Sequence, residues 1–273
     1  MCGIIGYVKG RKEVDKTELQ EMMRDMFISS QSRGVDATGY GYISEGRVVV
    51  DKAPVPATGF VKRLNDVPWD EVDIFMGHTR AATKGDPKNP ENNHPLVSKL
   101  SGLALVHNGI VSTSKKLKTD GEVDSEVLLR LIELKADVYE GIKFAEEHYS
   151  GSAAYALIGT HFPNRLYLVR SGNPMVLAYV QDLDLILYAS TEAIIKAGLN
   201  DYKCHLGFFW EKRKRHTALF QDMDDNSMLS IQKGSKGFTI RKEEFKKKKD
   251  ELYNAQWWKS GRFQRYDGTG KGD

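Results

Sequence analysis

The chain has 273 residues, 40% hydrophobic and 28% charged, with a formal net charge of +3. That balance is ordinary for a globular protein able to bury a sizeable core. No apolar run approaches the ~18 residues that a bilayer span needs, and the N-terminus lacks a signal-peptide layout, so a cytoplasmic protein without membrane segments is expected.

Residues 3–8 read as a short buried strand. Leu19, Met22, Met23, Met26 and Phe27 recur at helical spacing and predict an amphipathic helix from Lys16 to Ser30. Gly39–Ser44 and Arg47–Lys52 flank Glu45-Gly46, the pattern of a hairpin. Asp73–Thr79 and Leu103–His107 are expected strands, separated by a polar, proline-rich loop from Lys84 to Pro95. A second helix is expected over Asp124–Lys135, with Val127, Leu128, Leu131 and Ile132 on one face. Strands follow over Ala153–Thr160, Arg165–Arg170, Met175–Val180 and Leu185–Ala189, then a short helix over Thr191–Ala197. Strands in two groups with helices between and after favour an α+β layered fold over a doubly wound parallel sheet. Nothing resembles a phosphate-binding glycine loop.

Beyond residue 200 the composition shifts. Ten basic against six acidic side chains between Arg241 and Asp273 give that segment +4. Lys212-Arg213-Lys214-Arg215 forms a second basic cluster, and Phe208, Phe209, Trp210, Trp257 and Trp258 lie among the basic residues. Packing is the favoured role for these aromatics, with partner docking and nucleic-acid binding as alternatives. Cys204 sits among apolar neighbours and reads as a buried structural thiol.

Cys2 differs, because removal of Met1 would give it both a thiol and a free α-amine. The amine's ordinary pKa of ~8 lies near the thiol's ~8.5, so one residue can supply nucleophile and base. Four polar clusters stand at the ends of apolar runs: Arg33-Gly34-Val35-Asp36-Ala37-Thr38-Gly39, Gly77-His78-Thr79-Arg80-Ala81-Ala82-Thr83, His107-Asn108-Gly109 and Asp124-Ser125-Glu126. Such strand ends are where sites are built on rigid scaffolds. His78, His94 and His107 lack close metal-ligand spacing, and neither cysteine lies in a Cys-x-x-Cys pair, so no metal site is expected.

Taken in order with Met-Cys-Gly-Ile-Ile-Gly, these segments resemble the glutaminase domain of class II glutamine amidotransferases, which are N-terminal nucleophile (Ntn) hydrolases. The pattern is similar to the glutaminase domains of glucosamine-6-phosphate synthase and amidophosphoribosyltransferase. The likeness covers residues 2–200, leaving 201–273 as a basic C-terminal extension that packs on or follows the domain. It implies a four-layer αββα sandwich of two antiparallel sheets and hydrolysis of the L-glutamine side-chain amide through a γ-glutamyl thioester on Cys2. It also implies roles for residues. Asn108 and Gly109 would form the oxyanion hole, Arg80 would clamp the substrate carboxylate and Asp124 would receive its ammonium. Thr83 and His94 would complete the pocket or hold its loop, and Arg33 and Asp36 would brace the amine and the hairpin. His78 and His107 are expected as satisfied scaffold residues. The chemistry calls for no cofactor.

Two positions depart from the pattern: Ala81 and Lys84 stand where amino-sugar synthases carry tryptophan and histidine. With no room after residue 200 for an acceptor domain, a stand-alone glutaminase serving a separate ammonia-acceptor or synthetase protein is expected. The alternatives are a hydrolase of another γ-glutamyl compound, or a catalytically silent binding or regulatory relative.

Overall fold

The computed structural model describes residues 2–117, 119, 122–199, 216–235 and 237–245. In chain order the elements are β1 (Gly3–Lys9), α1 (Lys16–Ser30), β2 (Ala37–Ser44), β3 (Arg47–Ala53), α2 (Ala57–Phe60), β4 (Ile74–Arg80), β5 (Leu96–Val97), β6 (Leu103–Ser112), α3 (Asp124–Glu133), α4 (Val138–His148), β7 (Ser150–Gly159), β8 (Arg165–Ser171), β9 (Val176–Val180), β10 (Leu185–Ala189), α5 (Glu192–Gly198), β11 (Ala218–Asp222), β12 (Ser227–Gly234) and β13 (Gly237–Glu244).

Two sheets form, of order β11-β9-β10-β1-β4-β2-β3 and β13-β12-β8-β7-β6-β5. Every pairing between neighbouring strands is antiparallel. Because strand side chains alternate faces, β1 sends Ile5 and Tyr7 outward beneath α1 and α5. Ile4 and Val8 point the other way, meeting Ala104, Val106, Ala154 and Leu168 of the second sheet. The second sheet's outer face carries Tyr155, Leu157 and Val169 against Leu128, Leu131 and Ile142 of α3 and α4. Three apolar layers between four structural layers make the αββα sandwich.

Local chemistry sets the element boundaries. Asp15 caps α1 by accepting from the backbone N–H of Thr17 at 2.9 Å and Glu18 at 3.0 Å, satisfying two of the helix's orphan donors. The hairpin turns at Glu45 (φ 48°) and Gly46 (φ 71°), the two positive angles of a type I′ turn. One expected boundary is corrected. The strand read as ending at His107-Asn108-Gly109 runs on to Ser112, paired throughout with β7 from Leu103↔Gly159 to Ser112↔Ser150. The run His107-Asn108-Gly109 interrupts the apolar pattern before Ile110 and Val111 while the backbone ladder continues through it.

Helix α4 has no counterpart among the expected elements; its apolar stripe is thin, with Ile142 and Ala145 as its buried apolar residues. After residue 200, β11 extends the first sheet beside β9, and β12 and β13 extend the second beside β8. Met223, Met228 and Ile231 are buried there. The cluster Lys212–Arg215, together with Cys204, Phe208, Phe209, Trp210, Trp257 and Trp258, lies outside the described residues. Among the described residues no helix is long and apolar enough to cross a membrane.

Candidate active site

Strands β1 and β4 are hydrogen-bonded neighbours, with Gly3 opposite Thr79. Residue 2 therefore emerges beside the end of β4, where Arg80 and Ala81 leave the sheet. The carbonyl oxygen of Cys2 accepts from Arg33 Nε at 2.8 Å and from Asn108 Nδ2 at 2.9 Å. Its Sγ accepts from the Ala81 backbone N–H at 3.3 Å. The thiol is partly buried. Burial pushes its pKa up, against the Ala81 N–H and the positive charges of Arg80 and Arg33, which favour the thiolate.

The β4 exit is held from the other side by Asp36. Its backbone N–H donates to Arg80 O at 2.9 Å, and its Oδ2 accepts from Ala82 N at 2.7 Å. Gly34 makes this approach possible, since a Cβ there would sit 2.3 Å from the Arg80 carbonyl carbon. Arg33 and Asp36 thus brace the residue-2 carbonyl and the chain beside its thiol.

Arg80 is 4% exposed. Its Nη1 donates to Asn93 Oδ1 at 2.8 Å, and its Nη2 to the carbonyls of Lys84 and, at 2.9 Å, Gly85. The guanidinium thus ties the 84–95 loop to the end of β4. Lys52 holds the same loop from β3, donating to the carbonyls of Asn93 at 2.8 Å and Pro95 at 3.0 Å. Thr83 is exposed at the start of the loop, outside the hydrogen-bonded group around Cys2.

Asn108 is buried, and its amide spans three partners. Nδ2 donates to Cys2 O and, at 2.9 Å, to Ser190 Oγ, while Oδ1 accepts from His78 Nε2 at 3.1 Å. Ser190, at the end of β10, also accepts from Ile4 N at 2.8 Å. Gly109 follows with φ +146°, and a Cβ there would lie 2.0 Å from Ser152 O, so the residue is constrained to glycine. Asn173 Nδ2 donates to Asn108 O at 3.2 Å and to Ser152 Oγ at 3.0 Å. Asp124, the first residue of α3, accepts from Val111 N at 2.8 Å and so steadies the strand just past Gly109.

Behind this surface three histidines cluster, with ring centroids 4.3 Å apart for His78–His94 and 6.5 Å for His94–His107. All three are buried, and burial lowers their pKa values: His78 to about 3, His107 to about 4 and His94 well below its ordinary value. Asp124 pulls His107 the other way. His107 Nδ1 pairs with Ser125 Oγ at 2.8 Å and the ring also interacts with the Ser152 backbone, while among the described residues both nitrogens of His94 have no hydrogen-bond partner. Among the described residues no group of three or more His, Cys, Asp or Glu is arranged to hold a metal ion. A cleft of about 450 Å³ between α4 and the β8–β12–β13 edge shares no residue with the Cys2 group.

The structure thus joins Cys2, Arg33, Asp36, Arg80 and Asn108 in one network, with Gly109 next on β6, Asp124 reaching that strand from the start of α3, and His94 in the core behind. Reading the sequence missed Ser190 and Asn173 as members. Each stands just past an apolar strand run, and nothing local marks its side chain as reaching another strand.

No family model matches the chain. It is similar to the glutamine–fructose-6-phosphate aminotransferase [isomerizing] of Aquifex aeolicus, 34% identical over 190 residues that cover 64% of this chain and 30% of that protein. Its likeness to the enzyme of the same name from Clostridium tetani is 27% identity over 268 residues, 94% of this chain and 39% of that protein. The chain therefore spans about a third of the length of these curated relatives. Among solved structures, the glutamine phosphoribosylpyrophosphate amidotransferase from B. subtilis matches with a TM-score of 0.60 at 18% identity, covering 90% of this chain and 49% of that one. The chain shares the fold of this amidotransferase. The sequence likeness to the two aminotransferases and the shared fold with the amidotransferase cover overlapping parts of this chain.

Proposed function

We propose that the chain hydrolyses the side-chain amide of L-glutamine through a thioester on Cys2. The observation that carries this reading is the double anchoring of the residue-2 carbonyl by Arg33 and Asn108, which leaves the partly buried thiol at a strand end beside a backbone N–H. Loss of Met1 frees the α-amine, which takes the thiol proton; burial makes that help necessary by raising the thiol pKa. The thiolate attacks the glutamine Cδ. Asn108 exchanges one of its two Nδ2 bonds for the developing oxyanion, joined by the Gly109 N–H. The amine then protonates the departing nitrogen, ammonia leaves, and water cleaves the γ-glutamyl thioester to give glutamate and the free thiol.

Arg80 serves the α-carboxylate by turning donors from the loop carbonyls to the substrate, so binding and loop position are linked. Asp124 receives the α-ammonium, and Thr83 and His94 complete or support the pocket. The names of the relatives pair glutamine with an amino-group acceptor, which favours transfer of the ammonia over its release. A separate acceptor protein and a cytoplasmic setting complete the proposal.

The test combines intact mass with a glutamine-analogue diazo ketone. The expected result is a mature chain beginning at Cys2 that gains one adduct and turns glutamine into glutamate, with both lost in Cys2→Ala. Full activity in a chain that retains Met1 would sink the α-amine step. Glutaminase rates with and without co-purified proteins then address the acceptor: stimulation supports transfer, and a strong preference for γ-glutamyl peptides over glutamine overturns the substrate.

A further inference from the structure

His78 lies on β4, two residues before Arg80, and is 1% exposed. Its Nε2 stands 3.1 Å from the carbonyl oxygen of His107 and 3.1 Å from Oδ1 of Asn108. The orientation of the Asn108 amide follows from chemistry. The Cys2 carbonyl can only accept, so the amide atom facing it at 2.9 Å is the nitrogen. Oδ1 is then the atom that faces His78. With two acceptors before it, Nε2 must carry the ring hydrogen. An inverted amide would set oxygen against the Cys2 carbonyl and NH₂ against the His78 N–H, two repulsive contacts in a buried site.

We infer that His78 is a positioning residue, whose Nε2–H holds the Asn108 amide with its N–H edge turned toward Cys2. The inference rests on the proposed roles of Cys2 and Asn108. A donor held at the reacting residue before substrate arrives needs to exchange only one hydrogen bond when charge develops, and an ångström of misplacement is enough to cost about 10²-fold in rate. Burial keeps the ring neutral, with its pKa down to about 3, so the single hydrogen stays in this arrangement across the working pH range. Packing of the His94 ring 4.3 Å away restricts rotation of His78 from its other side.

The test compares His78→Leu, which lacks a donor, with His78→Gln, whose amide nitrogen reaches the former Nε2 position. Glutamine turnover is measured beside alkylation of Cys2 by iodoacetamide, a displacement that forms no oxyanion. His78→Leu should lower kcat about 10–100-fold, leave KM within about twofold and leave alkylation unchanged. His78→Gln should recover most of kcat. If the leucine variant fails to fold, His78→Asn replaces it, since its shorter amide falls short of Oδ1 and should run at least about tenfold slower than glutamine at this position. Unchanged kcat in the variants, or parallel loss of kcat and alkylation with no recovery in His78→Gln, overturns the positioning role. Wild-type protein that alkylates at Cys2 but does not turn over glutamine overturns the glutaminase reading itself, and the inference with it.

Discussion

At residue 2 it is the carbonyl, rather than the thiol, that carries the anchoring bonds. Arg33 Nε and Asn108 Nδ2 both donate to it, and among the described residues the thiol's hydrogen-bond neighbour is the Ala81 backbone. The proposed nucleophile is thus positioned through its carbonyl by hydrogen bonds that do not engage its thiol. Asn108 has two tasks, since the same amide that fixes residue 2 is the proposed oxyanion donor. Asn108→Ala should lower kcat about 10²–10³-fold, the usual cost of one lost oxyanion donor, with a smaller effect on KM. Steady-state kinetics with glutamine check this, and a change confined to KM would contradict it.

At the scale of elements, the site is the meeting of strand ends with one loop. The 84–95 loop has little regular structure and is instead cross-tied by side chains. Arg80 reaches it from β4 and Lys52 from β3, while Asn93 Nδ2 donates to Pro87 O at 2.7 Å and Asn92 Nδ2 to Glu122 Oε2 at 2.9 Å. Burial holds the Lys52 ammonium below its ordinary pKa, and its stem spans the gap between hairpin and loop. Lys52→Met should keep the packing of that stem but strip the carbonyls of Asn93 and Pro95 of a donor, costing about 1–3 kcal/mol. Because Arg80 shares the loop with the proposed carboxylate site, this variant should raise KM for glutamine several-fold while kcat changes little. Thermal unfolding together with a glutamine titration reads both effects, and an unchanged KM would separate the loop from binding.

For the whole molecule, the cluster of neutral histidines makes stability depend on pH. His78 and His107 have folded pKa values of about 3 and about 4 against an ordinary 6.5, so below pH ~6.5 the unfolded chain takes up protons that the folded chain refuses. Stability should be flat above pH 7 and fall as the pH drops from ~6.5 toward 4. At about 1.36 kcal/mol per pH unit, each of these two histidines costs about 2 kcal/mol by pH 5. Urea unfolding at pH 7.5 and pH 5 measures this, and equal stabilities would show that the rings protonate in place. The cluster was not legible in the sequence, where the three histidines are separated by 16 and 13 positions and only the packing of β4 and β6 with the returning loop brings them together. By contrast the first helix and the Glu45-Gly46 hairpin were legible, because helical periodicity and turn chemistry are local. The motif runs were legible for the same reason: Cys2, Arg80, Asn108 and Asp124 each stand in a short run at the end of an apolar segment. The sequence by itself determined which chemical groups stand at those strand ends, and with them the class of reaction proposed. Only the tertiary structure decided how the groups face one another. The bonds of Asn108 to Cys2, Ser190 and His78 bridge 106, 82 and 30 positions of chain, and antiparallel register, which no local pattern encodes, sets which atom meets which.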